Sequence, residues 1–332
     1  MRSIKHIHGD KEPHWVGDGF YVKTLFNHLD DDPDFNHRHT DPFLLLDYGQ
    51  PTNFAPNPNY KTQPHGVGQH PHKGFETVTI AYSGEISHAD SAGGYGVIQE
   101  GGVQWMTAGR GIMHEEFHSP AFGQRGGPFS MVQLWVNLPS AHKLTEPKYQ
   151  TLTRADLPIV NLTDNENGNE IGKAAIIAGE WQDTTGAAST FTPINMWDIE
   201  LRSAGSTTVQ VPNSHNVMIL VQEGTLLIND TPVSAGSLIQ FATPTDTDLD
   251  SDIKAANEQS ATQISDSIKL TYPKLADDKL SGDKPSSSIV KLLLLSGEPI
   301  GEPVVGYGPF VMNTQAELKQ TFRDYQTGNF GK

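Results

Sequence analysis

The apolar residues of this chain come in short, β-branched and aromatic runs separated by glycine and proline. Phe43 to Tyr48 is bounded by Pro42 and Gly49, and Phe75 to Tyr82 ends at the turn signal Ser83-Gly84. Val103 to Met106 follows Gly101-Gly102, the run Ile112 to Phe117 follows Gly109-Arg110-Gly111, and Phe129 to Val136 reads as a further strand. Short strands with turn signals at intervals of roughly 8–12 residues predict an all-β sandwich or barrel. The first 42 residues predict an irregular or short-stranded lead, because Pro13, Pro33 and Pro42 break any helix. Gln50 to Gln69, rich in Pro, Asn and Gly, predicts a loop. A helical period is found over Thr314 to Tyr325, where Leu318, Phe322 and Tyr325 share a face behind the Asn313-Thr314 start signal.

The second half repeats the plan. Met196 to Leu201, Thr208 to Val211, Asn216 to Val221, Thr225 to Ile228 and Gly236 to Phe241 read as strands, and Ile289 to Leu295 as a buried one. Val78–Gly84 matches Val217–Gly224 in kind, and Gly102–Met106 matches Gly236–Phe241, which predicts a diverged internal duplication. At 332 residues the chain is long for one core. Two tandem domains, residues 1–150 and 151–332, are therefore expected. A polar insertion is expected at about 243–288, broken by an apolar stretch near Ile268 to Tyr272. Its Asp246, Asp248, Asp250 and Asp252 have the rhythm of a calcium loop, but Ser251 and Asn257 stand where such a loop needs Gly and Glu, so a solvated loop is expected.

Composition narrows the function classes. The formal charge of −16 argues against direct binding of nucleic acid or of an anionic membrane surface. The absence of cysteine excludes disulfides, thiolate metal sites and cysteine nucleophiles. The N-terminus has no apolar core of signal-peptide length and no run is long enough to span a bilayer, so a soluble, cytoplasmic protein is expected. All but one of the 14 histidines lie at or before His142, which assigns metal or proton chemistry to the N-terminal half.

Within that half, two pairs of metal-capable residues are spaced i, i+2: His70 with His72, and His114 with Glu116. Alternate side chains of a strand share a face, so each pair projects together. If their strands are sheet neighbours, three imidazoles and a carboxylate converge on one point. The spacing alone is weak, since His6/His8 and His37/His39 show it too. Counting the same steps through the second repeat reaches Gln210, Pro212 and Asp248, so no second metal site is expected.

Three motifs, His70 to Val78 (HPHKGFETV), Gln104 to Glu116 (QWMTAGRGIMHEE) and Gly297 to Asn313 (GEPIGEPVVGYGPFVMN), closely resemble the pirin family. The resemblance spans almost the whole chain. It implies a bicupin, two antiparallel β-barrels with a short C-terminal helix and iron in the first barrel only. It implies metal ligands at His70, His72, His114 and Glu116. Glu76 fills the glutamate position of the general cupin motif and shares strand parity with His70 and His72, so it is expected near the ligands or facing the substrate. His118 has the parity of His114, but Ser119-Pro120 argues against its joining the set. Trp105 and Trp135 are expected in the core.

Three imidazoles and one carboxylate suit Fe(II), Mn, Ni, Cu or Zn. Similarity in site to the flavonol 2,4-dioxygenases (quercetin 2,3-dioxygenase type) implies a flavonol-like substrate, dioxygen and Glu116 as the catalytic base. An alternative implication is an iron-dependent redox-sensing regulator that binds protein partners. A metal-stabilised scaffold without chemistry ranks last, because such sites are closed.

Overall fold

The computed structural model describes residues 1–9, 11–91, 93–242, 265–273 and 289–332. The chain divides into two compact units. One comprises Lys11–Asp156 with Ile300–Lys332; the other comprises Met1–Asp10 with Leu157–Pro299. The expected division at 150/151 is thus corrected at both chain ends, each of which joins the unit remote from it in sequence. The physical reason is pairing. The first strand, β1 (Ile4–His8), lies against Leu238–Phe241. The C-terminal segment bridges Phe310 to Lys73, and the buried Lys143 ammonium donates to the Val311 and Gly74 carbonyls.

The first unit carries β2 (His14–Val16), β3 (Phe20–Asn27), β4 (Phe43–Phe54), β5 (Gly66–His72), β6 (Phe75–Ser83) and β7 (Ile86–Asp90). These are followed by β8 (Tyr95–Ile98), β9 (Val103–Thr107), β10 (Ile112–His118), β11 (Gly127–Asn137) and β12 (Lys148–Leu152). A seven-stranded sheet runs β12-β9-β6-β11-β4-β3-β2, and a four-stranded sheet runs β5-β10-β7-β8. Phe20, Val22, Ala81, Ile86, Phe122 and Phe129 belong to one buried cluster of this unit. The predicted helix forms at Gln315–Gln326, capped by the Thr314 hydroxyl accepting from Glu317 N–H.

The second unit repeats this order. Its larger sheet runs Ile4–His8, Leu238–Phe241, Asn216–Glu223, Val290–Gly297, Ile194–Leu201, Glu170–Ala178, Ile159–Thr163. Its smaller sheet runs Gly205–Pro212, Ser265–Tyr272, Thr225–Ile228, Thr231–Ser234. β6 therefore corresponds to Asn216–Glu223 and β9 to Leu238–Phe241, as the matched segments require. β10 corresponds to Ser265–Tyr272, not to the neighbourhood of Asp248; twelve residues counted from Gly236 fall short because a longer segment intervenes. The residues equivalent to His70, His72 and His114 are Gln210, Pro212 and Ser267. The aspartates at 246, 248, 250 and 252 lie outside the described residues. Among the described residues no helix is long and apolar enough to cross a membrane.

Candidate metal centre

β5 and β10 are antiparallel neighbours, with His70 directly opposite His114 and His72 opposite Ile112. Directly opposed residues share a face. The three rings accordingly gather: centroids are 4.3 Å apart for His70–His114 and 4.8 Å for both His70–His72 and His72–His114. One ring nitrogen from each lies within 4.8 Å of the others. Bonds of about 2.0–2.2 Å to one ion need ligand atoms no more than about 4.4 Å apart, so a slight inward turn of the rings brings all three onto a single ion.

Two local devices set this geometry. After Glu116, which pairs with Val67, the β5 register slips by one residue before His114 meets His70. The extra residue is a bulge at Gly68–Gln69, which re-aims His70. The Gly68 carbonyl there lies 2.9 Å from His70 Nδ1, an acceptor that holds the proton on Nδ1 and leaves Nε2 free to bind an ion. At the start of β5, Gly66 has φ +157°, and a Cβ there would stand 2.2 Å from the Glu116 carbonyl oxygen. Only glycine lets the strands approach this closely.

Among the described residues, the ring nitrogens of His114 are buried without a hydrogen-bond partner, and those of His72 are buried with only the Pro309 backbone within reach. Buried polar atoms left this way are costly, and a shared cation satisfies one on each ring. Burial first, then the neighbouring imidazoles, holds the His72 and His114 pKa values well below the usual histidine range; burial also lowers that of His70. The three rings are neutral near pH 7, the state in which they ligate metals.

Glu116 adjoins the triad, its Oε2 4.0 Å from His114 Nε2. Thr79 Oγ1 donates to its Oε1 at 3.3 Å, and Gln133 Nε2 donates to its Oε2 at 3.4 Å. Burial pushes the Glu116 carboxyl up to about 7, against the opposing effect of the Thr79 hydroxyl. His88, buried and directly opposite Glu116 on β7, stacks on Tyr149.

The expectation for Glu76 is corrected. Gly74, at φ +89°, breaks the strand between His72 and Phe75, so parity does not carry across. Thr79, of opposite parity to Glu76 on β6, reaches Glu116, whereas Glu76 pairs with Thr107 and accepts from its hydroxyl at 2.6 Å. Burial raises the Glu76 carboxyl to about 7 from the ordinary 4.5, partly offset by the Thr107 hydroxyl. The folded state therefore holds this proton more tightly than the unfolded chain does. The stability it contributes is complete below about pH 4.5 and lost as pH rises through about 7. The Glu76→Gln variant is expected to keep the wild-type metal stoichiometry, and to gain stability relative to wild type between pH 4.5 and 7. Metal analysis and denaturant unfolding at the two ends of that window check both outcomes.

Beside the triad lies a cavity of about 360 Å³. Val16, Phe20, Val22, Val67, Met131 and Trp135 give it apolar walls, and His70, His72, Glu116, Gln133 and Asp47 supply its polar groups. Trp105 is buried, as expected, but Trp135 lines this cavity, 5.2 Å from the His72 ring and stacked on Phe75 at 4.3 Å. His118 is placed among Phe54, Phe122 and Phe129, its Nε2 2.8 Å from the Gly19 carbonyl. Thr79, Gln133 and Asp47 escaped notice in the sequence. Their signal was a polar residue at an inward position of an otherwise apolar strand.

The Pirin domain pattern matches residues 26–136, and that of the pirin C-terminal cupin domain matches residues 273–331. A Pseudomonas aeruginosa protein provisionally named quercetin 2,3-dioxygenase is 40% identical over 99% of both chains. Pirin-like protein 2 of Arabidopsis thaliana is 36% identical over 88% of this chain and 76% of its own. The solved structure of a quercetin 2,3-dioxygenase from Acinetobacter baumannii superposes with a TM-score of 0.81 at 40% identity, covering 100% of this chain and 99% of that one. With imidazoles positioned to bind a metal on one of two barrels of like strand order, and with relatives matched over three quarters or more of their length, this chain belongs to the pirin family of bicupins.

Proposed function

We propose that the first barrel is a cytoplasmic, metal-dependent dioxygenase that opens the central ring of a flavonol such as quercetin with dioxygen, releasing carbon monoxide. The observation that carries this reading is a ligand-sized cavity bordered by two imidazoles of the triad, His70 and His72, and by a buried carboxylate, Glu116. Its volume falls within the range of roughly 300–1,000 Å³ usual for small-molecule sites. His70, His72, His114 and Glu116 would hold the ion, with Fe(II) first among the candidates and Mn, Ni, Cu or Zn as alternatives. A bound divalent ion supplies a Lewis-acid contact for the deprotonated substrate oxygen and a path for electrons to dioxygen.

The protein's own groups prepare the substrate. Trp135, Phe20 and Met131 offer flat apolar surface to fused rings and exclude water. Glu116, held by Thr79 and Gln133, accepts the proton of the flavonol 3-hydroxyl. Its environment suits that step, because burial brings its proton affinity close to neutral pH. The regulatory alternative needs no ligand-sized cavity beside the imidazoles, which is why the enzymatic reading is preferred.

Iron-loaded protein mixed with quercetin in air is expected to bleach the flavonol's visible absorbance and evolve carbon monoxide. Chelator-stripped protein is expected to do neither, and to recover both on reloading. Equal loss of quercetin with and without metal would overturn the proposal.

A further inference from the structure

A line of polar side chains crosses the inner face of the large sheet in the first unit. The antiparallel registers place Thr24 opposite Asp47, Asp47 opposite Gln133, Gln133 opposite Thr79 and Thr79 opposite Gln104. Opposed residues share a face, so five strands contribute one polar residue each to a single row. Such a row inside a barrel is costly unless its members are partnered. Thr79 and Gln133 are: the single Thr79 hydroxyl hydrogen is shared between Gln133 Oε1 at 2.5 Å and Glu116 Oε1 at 3.3 Å, and Gln133 Nε2 donates to Glu116.

Asp47 is only half satisfied. Its Oδ1 accepts from the Thr24 hydroxyl at 2.5 Å, and among the described residues its other oxygen accepts no hydrogen bond. The residue lines the cavity, between apolar groups that include Val22, Met131 and Trp135. Burial holds its carboxyl above the usual aspartate range, against the opposing effects of the Thr24 hydroxyl and of the His14 imidazole. Gln133 separates it from Thr79, and two strand spacings come to about 10 Å. One cavity therefore has a carboxylate at the imidazole end and a second carboxylate, with an acceptor to spare, along the same row.

We propose that Asp47 is a specificity-determining residue, whose free oxygen accepts a hydrogen bond from a ring hydroxyl of the substrate at the end remote from Glu116. This rests on the flavonol reading above and narrows it. The favoured substrate is a flat polyphenol with an acidic hydroxyl at the triad and a second phenolic hydroxyl on the side of the molecule that faces Asp47. A ligand without that hydroxyl leaves this half-buried acceptor without a partner in the cavity wall, a mismatch by which protein sites discriminate.

The test is anaerobic binding to metal-loaded protein, with quercetin and with 3-hydroxyflavone, which keeps the 3-hydroxyl and carbonyl but has no other hydroxyl. Wild type is expected to prefer quercetin by about tenfold or more. Asp47→Leu is expected to reduce that preference to within about twofold, chiefly by weakening quercetin binding. Asp47→Asn, closest in shape, guards against misfolding; with wild-type metal content and melting temperature it is expected to lose at least about half of the preference on a logarithmic scale. If wild type binds both flavonols without preference, or the folded variants retain the preference, the assignment of Asp47 is overturned while the flavonol reading stands. If neither compound binds wild type, the flavonol reading falls and the assignment falls with it.

Discussion

Replacing Glu116 with glutamine is expected to lower the rate of quercetin consumption by about 10²- to 10⁴-fold at saturating metal. Glutamine keeps the shape of the side chain and an oxygen for the Thr79 hydroxyl to donate to, so β10 and the bulged β5 should hold their register. What it cannot do is take up a proton. The flavonol hydroxyl would then have to ionise without a base in a cavity whose walls are largely apolar. Metal affinity should fall as well, because one anionic ligand is lost. For that reason the measurement is made with metal content verified, and quercetin binding is followed separately from turnover. Full turnover in Glu116→Gln would remove Glu116 from the chemistry and leave it a structural neighbour of His114. A variant that still binds quercetin but no longer consumes it would place the loss in the proton-transfer step.

Why the sequence places Glu116 on the face of His114, whereas Glu76 falls on the face of β6 away from Glu116, is a matter of backbone continuity. His114 and Glu116 sit on one uninterrupted strand, so the i, i+2 rule places both on one face. His72 and Glu76 are separated by Gly74, whose positive φ ends one strand and starts another in a different sheet. Periodicity is valid only within a strand, and nothing in the local sequence says that a single glycine will reset it. The bulge at Gly68–Gln69 is a second reset of the same kind, and it falls in a stretch whose composition reads as loop.

The repeat was legible because buried strands keep their hydrophobic rhythm even when their individual residues diverge. The two large sheets share one strand order. The exchange of chain ends between the units was not legible. Ile4–His8 is an ordinary short run, and its place beside Leu238–Phe241 depends on which sheet edge is vacant, a tertiary property. The polar row was hidden for a related reason. Each member is one unremarkable Thr, Asp or Gln on its own strand. The line from Thr24 to Gln104 exists only once four registers between strands distant in sequence are fixed.

Metal affinity is expected to climb about tenfold per pH unit between roughly pH 5.5 and 7, then to level off. The sign follows from the proton inventory of the metal-free site. Burial holds His72 and His114 well below the usual histidine range, so they present lone pairs and release few protons on binding an ion, and it shifts His70 in the same direction. Glu116 is the opposite case. Its carboxyl is raised to about 7, so below that pH it carries a proton that a ligated ion must displace. One displaced proton gives a slope of one, which over the window is about 30-fold in affinity. In the Glu116→Gln variant the slope should vanish, since the amide has no proton to exchange. A pH dependence should return only at the lower pH where the imidazoles themselves are protonated. Titration with a competing chromophoric chelator measures the slope, and calorimetry in buffers of different ionisation enthalpy counts the proton directly. A flat wild-type profile would mean that the ion binds the triad without engaging the carboxylate. Glu116 would then remain free to act as a base from beside the metal.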